Sequence, residues 1–167
     1  MTRKQLVKAV ISSLDKKQLY VDEEQGVVTD KYILYHGELA QEIVKGLGKY
    51  MVNELPASYK ERLRSLTGEP SGMHVDLDLK YTLPVNMHKR ERDVYSVVYH
   101  GCDRSLYVAI NKKYRKLIQD YYSHIINIGG LGESGRIVDT PLCLADSVSG
   151  KILIMPMQLD QDTELYL

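Results

Sequence analysis

Residues 151–160 read KILIMPMQLD, and how this stretch ends decides the fold. Ile152, Leu153, Ile154 and Met155 form a continuous apolar run, the pattern of a strand in a core. Proline donates no hydrogen bond to a β-ladder, so Met155-Pro156-Met157 marks the place where pairing stops. The segment before it, RIVDTPLCLADS (136–147), reads as a second strand, joined to the first through SVSG into a closing hairpin. Residues 160–167 read as a loose tail.

Ahead of that hairpin, NKKYRKLIQDYYSHI (111–125) places Tyr114, Leu117, Ile118, Tyr121 and Ile125 on one helical face. Asn111 stands where it can cap the helix. NIGGLGESG (127–135) is a turn. It follows a helix and leads into a strand, the reverse of the order a phosphate loop requires. DVYSVVYHG and SLYVAI read as strands about the turn GCDRS, and NMHKRERD (86–93) as a charged loop. Between Met73 and Leu83 apolar and polar residues alternate strictly, which predicts a half-buried strand. At the N-terminus, Val7, Val10, Ile11 and Leu14 predict an amphipathic helix over 3–17. QLYVDEEQGVVTDKYILYHG reads as a strand hairpin about Gly26, covering about 18–36. Leu39, Ile43, Leu47, Tyr50 and Met51 mark a second helix, and ASYKERLRSL (57–66) a third, before the turn-rich TGEPSG.

The bulk composition is that of one soluble globular domain. The chain has 167 residues, 44% hydrophobic and 26% charged, and no apolar run of membrane-spanning length. The charged N-terminus lacks a secretory signal, so the expected location is the cytoplasm. Cys102 and Cys143 have no metal-ligand spacing and read as reduced structural thiols. Thirteen tyrosines with no Phe or Trp put rings with hydroxyls into the core. Net charge is zero, but residues 2–19 carry +4 and residues 111–124 carry +3, leaving −7 elsewhere. Basic charge gathered on two helices suits a phosphate backbone; ordinary solvated helix faces give the same pattern.

His74, Asp76 and Asp78 share one strand face and offer three metal-ligand types. Alternate strand positions lie about 7 Å apart, so a wet strand face accounts for them without a metal. The remaining histidines, His36, His88, His100 and His124, form no zinc motif, and no nucleophile elbow occurs. No catalytic residue, metal site or cofactor is expected.

Three stretches carry a resemblance to a known family. Ala109-Ile110-Asn111-Lys112-Lys113-Tyr114 leads from a strand into a helix, Ala145-Asp146-Ser147 supplies polar turn residues, and Ile154-Met155-Pro156-Met157-Gln158-Leu159 closes the sheet. In this order they resemble the last domain of the bacterial-type DNA sliding clamp, the polymerase β subunit, whose final strand closes M-P-M-R-L. Val28-Thr29-Asp30-Lys31-Tyr32-Ile33-Leu34 is similar to the A-T-D-G-H-R-L strand of clamp domains, with Lys31, Tyr32 and Ile33 in place of glycine, histidine and arginine. The resemblance spans roughly one clamp domain, whereas a bacterial clamp subunit has three.

The resemblance implies an α+β clamp-type domain over 1–159, with antiparallel sheets, two basic helices and a helical insertion at about 38–72. It implies a non-enzymatic protein of DNA replication, of phage or mobile-element type, that acts as a processivity factor. A peptide groove would have Thr29, Lys31 and Tyr32 on one wall and Leu153, Met155, Pro156 and Met157 on the other. Its ligand would be a short Gln-led peptide of replication or repair proteins, and methionines suit such a surface because they repack around different partners; Met155 and Met157 that only fill core, with Pro156 ending an edge strand, give the same sequence. Arg3, Lys4, Lys8, Lys112, Lys113, Arg115 and Lys116 would contact DNA through its phosphates, without reading sequence. Encircling DNA would require a homo-oligomer joined through edge strands. An adaptor or inhibitor that binds protein alone is the alternative from another class, and a metal-dependent enzyme on His74, Asp76 and Asp78 a third. The tail Gln161–Leu167, QDTELYL, is itself similar to a Gln-led, Leu-aromatic clamp ligand, a pattern that composition alone also produces.

Overall fold

A computed structural model describes residues 2–61, 73–76, 81–82, 92–99, 106–121, 126–128, 142–146 and 150–157. The fold is α+β, and the chain forms two compact units, one of residues 1–70 and 145–154, the other of 71–144 and 155–167.

In the first unit α1 spans Arg3–Ser13. Thr2 caps it: its hydroxyl accepts the Gln5 N–H while the Gln5 side chain accepts the Thr2 N–H, a reciprocal capping box. The helix stops four residues short of the expected end at 17. Ser12 and Ser13 turn their hydroxyls back onto the Ala9 carbonyl, and the Lys16 ammonium caps the Ile11 and Leu14 carbonyls. Its buried face is Leu6, Ala9, Val10 and Ser13, with Val7 and Ile11 at the margin rather than the centre.

Strands β1 (Leu19–Asp22), β2 (Val27–Thr29) and β3 (Ile33–His36) form a meander where the sequence pattern predicts one hairpin. Gly26, at φ +68°, makes the first turn. A Cβ there would stand 2.9 Å from the Gly37 carbonyl oxygen. Helix α2 (Ala40–Gly46) buries Leu39, Ile43 and Leu47, as their spacing predicts. It ends before Tyr50 and Met51, whose spacing predicts an inward face and which are instead 40% and 79% exposed. The chain then returns as β4 (Val52–Glu54), parallel to β1, and enters α3, helical over 57–61. The helical crossover permits a parallel neighbour, so the sheet is mixed rather than purely antiparallel.

β11 (Gly150–Ile154) pairs antiparallel with β3 and completes a five-stranded sheet, β4-β1-β2-β3-β11. Register aligns Val28, Tyr35 and Ile152 on one face and Thr29, Leu34 and Leu153 on the other. All six are buried. Burial on both faces explains why the strand reads as a continuous apolar run instead of alternating.

In the second unit β7 (Arg92–Tyr99) pairs with β8 (Leu106–Asn111), β6 (Tyr81–Thr82) and β5 (Met73–Asp76). β5 continues to β9 (Ile126–Ile128), and β9 to Leu142–Leu144 of β10 (Leu142–Asp146). A 3₁₀ turn at Lys112–Tyr114 leads into α4 (Arg115–Tyr121), and Tyr114, Leu117 and Ile118 are buried as the helical spacing predicts. The Asn111 side chain accepts the Lys113 N–H at 3.1 Å, the expected cap. The readings of 62–72, 83–91, 129–141 and 158–167 lie outside the described residues.

Candidate functional site

The connection from β2 to β3 is three residues long, and its three N–H groups and the Asp30 carboxylate all have partners. Asp30 is fully buried, a costly position for a carboxylate without donors. Its Oδ1 accepts the Tyr32 and Ile33 N–H groups, both at 2.8 Å, and its Oδ2 accepts the Asp15 N–H at 2.8 Å. Thr29 Oγ1 donates to the Ile33 carbonyl at 2.8 Å and accepts the Lys31 N–H at 2.9 Å. These bonds fold the backbone so tightly that Lys31 takes φ +78°, the left-handed region that an L-residue enters at a cost of about 1–2 kcal/mol. Tyr32 is left 56% exposed. The Lys31 ammonium lies 5.0 Å from the ring centroid of Tyr20 on β1 and 5.2 Å from that of Tyr59 on α3.

No family model, characterised protein or solved structure matches the chain.

Thr29, Lys31, Tyr32 and Leu153 thus belong to the first unit, and Met155, Pro156 and Met157 to the second. Thr29 and Leu153 are buried supports, while Lys31 and Tyr32 reach solvent. The ladder of β11 with β3 runs from Lys151↔His36 to Ile154↔Ile33 and ends there. Met155 is 42% exposed, and Met157 donates its N–H to the Ala109 carbonyl at 2.8 Å. Pro156 is therefore the residue at which the chain leaves one pairing scheme for another, which suits a residue without an N–H.

The seven basic residues divide into committed and uncommitted charges. Arg3 forms an exposed ion pair with Glu38. Arg115 grips the buried carboxylate of Asp93 with two bonds, Nε to Oδ2 at 2.8 Å and Nη2 to Oδ1 at 2.7 Å. Lys4, Lys8, Lys112, Lys113 and Lys116 are exposed, and the Lys113 ammonium lies 5.0 Å from the Tyr114 ring. Sequence reasoning missed the Asp93 pairing. The one available signal was an aspartate opening a strand 22 residues before the arginine, too distant to connect without the β7–β8 register, which pairs Arg92 with Asn111.

His74 and Asp76 lie on β5, and Asp78 is outside the described residues. Among the described residues no group of three metal-ligating side chains gathers, and no described helix is long and apolar enough to cross a membrane. A cleft of about 490 Å³ lies between the β1–β2 turn and α2, lined by Glu23, Glu24, Glu38 and Lys45 among others. Beside that turn, burial lowers the affinity of His36 for a proton, and Lys151 lowers it further, against a hydrogen bond with the Gln25 backbone that raises it.

Proposed function

We propose that the chain is a clamp-type, non-enzymatic protein of DNA replication that receives a short peptide from replication or repair proteins at the Thr29–Ile33 loop. One observation carries the reading. Lys31 stands where the resembling clamp strand has glycine, and it takes the left-handed backbone that glycine adopts freely. A chain that keeps this turn with a lysine, held by Thr29 and a fully buried Asp30, retains the loop's shape at an energetic cost, and the residue the shape presents is an exposed tyrosine. Tyrosine is a favoured peptide anchor because it offers a rigid apolar ring with a polar tip.

The test is fluorescence anisotropy with a labelled Gln-led peptide ending in a Leu-aromatic pair. Saturable binding to the chain, weakened at least tenfold by Tyr32→Ala, supports the reading. Binding unchanged by Tyr32→Ala contradicts it.

A second reading, an adaptor or inhibitor that binds protein and leaves DNA alone, is favoured by a specific observation. Arg3 and Arg115, two of the seven residues assigned to phosphates, already have carboxylate partners. Retention on circular but not linear DNA, with a steep salt dependence, separates an encircling homo-oligomer from this adaptor.

A further inference from the structure

We infer that Lys31 is a latch: its ammonium, seated against Tyr20 and Tyr59, ties α3 to the β2–β3 loop and thereby fixes how Tyr32 is presented. Three observations converge on it. The backbone of Lys31 is in a strained region, so the loop persists only because its surroundings over-determine it. Its N–H is held by Thr29 Oγ1 at 2.9 Å, which fixes the start of the side chain. Its far end lies 5.0 Å and 5.2 Å from two ring centroids, within cation–π range of both.

The two rings come from different elements. Tyr20 is on β1, opposite Thr29 in the β1–β2 ladder, so it is fixed by the same sheet as the loop. Tyr59 is on α3, whose first turn is made by the Tyr59 and Lys60 N–H groups donating to the Pro56 carbonyl at 2.9 and 3.2 Å. A cation between them joins β1 to the first turn of α3. A single helical turn has little stability of its own, so the first turn of α3 depends on such tertiary packing. Glycine at position 31 would relieve the backbone but leave nothing to reach Tyr59. The lysine therefore gives this chain a connection that the glycine of the resembling strand does not offer.

The consequence for docking rests on the peptide reading above, whereas the latch itself does not. Amide hydrogen exchange on the full chain reads the latch directly. Lys31→Met keeps side-chain length and removes the charge that faces both rings; protection at Tyr59 and Lys60 is expected to fall about two- to fivefold. Lys31→Arg, which keeps the cation, is expected to restore it, and Tyr59→Leu to lower Lys60 protection as Lys31→Met does. Protection at Tyr59 and Lys60 unchanged in Lys31→Met overturns the latch, as does a fall that Lys31→Arg shares in full. If exchange responds as expected while the wild-type chain binds no Gln-led peptide, the latch stands and the docking reading fails. If peptide binding is present and Lys31→Met changes neither exchange nor affinity, docking stands and the latch fails.

Discussion

Asp30 and Asp93 are both buried aspartates at strand ends, and the chain satisfies them in opposite ways. Asp30 takes three backbone N–H groups and no cation. Asp93 takes the guanidinium of Arg115, with the Tyr95 hydroxyl 3.4 Å from its Oδ2. The first arrangement shapes a loop and leaves the neighbouring Lys31 charge to engage aromatic rings. The second consumes a positive charge, so Arg115 anchors α4 to β7 and contributes little to a phosphate-facing surface. A basic residue in a sequence is thus not yet a basic residue on a surface.

The contrast is sharpened most by Asp30→Ala, which strands three donors at a fully buried site. We expect a loss of about 4 kcal/mol in urea unfolding, with loss of peptide binding through collapse of the loop. Next, Gly150→Ala at φ +131° would drive a Cβ into the His36 carbonyl oxygen and force β11 from β3. About 3 kcal/mol of destabilisation is expected by the same method. Arg115→Ala should cost about 2 kcal/mol, below the usual loss for a broken buried pair because the arginine side chain is 43% exposed. It should leave retention on DNA at low salt nearly unchanged, whereas Lys112→Glu with Lys116→Glu should abolish any retention there is. Equal effects of the two variants on DNA would break the distinction between paired and unpaired basic residues.

The smallest effect concerns His36. Its folded-state proton affinity is lowered, so the unfolded chain accepts a proton that the folded chain resists. The stability this group confers is complete above the ordinary histidine value of about 6.5 and declines as pH falls through it. His36→Gln should therefore lose less stability than the wild type between about pH 7 and pH 5, as followed by thermal melts.

Much of this fold is legible in the sequence where one physical rule dominates. The apolar run at 152–154 signals a strand buried on both faces, Gly26 the turn between β1 and β2, Asn111 a cap, and Leu39, Ile43 and Leu47 a helix face. Sequence reading fails where a distant interaction overrides local preference. The periodicity through Tyr50 and Met51 extends a helix that actually ends at Gly46, because β4 is drawn onto the edge of β1. Likewise the roles in the loop are redistributed. Thr29 reads as a wall residue and is a buried strut, while Asp30, to which the sequence pattern assigns no role, holds the turn. The left-handed backbone at Lys31 is signalled only by the glycine at its place in the resembling strand, since lysine itself does not advertise a positive φ as glycine or asparagine does.

The most direct test of the docking loop is a titration of the isotope-labelled chain with the Gln-led peptide, followed through backbone amide shifts. The account predicts saturable changes centred on Lys31, Tyr32 and Ile33. Changes confined to α1 and α4, or none at peptide concentrations that saturate binding, would contradict it.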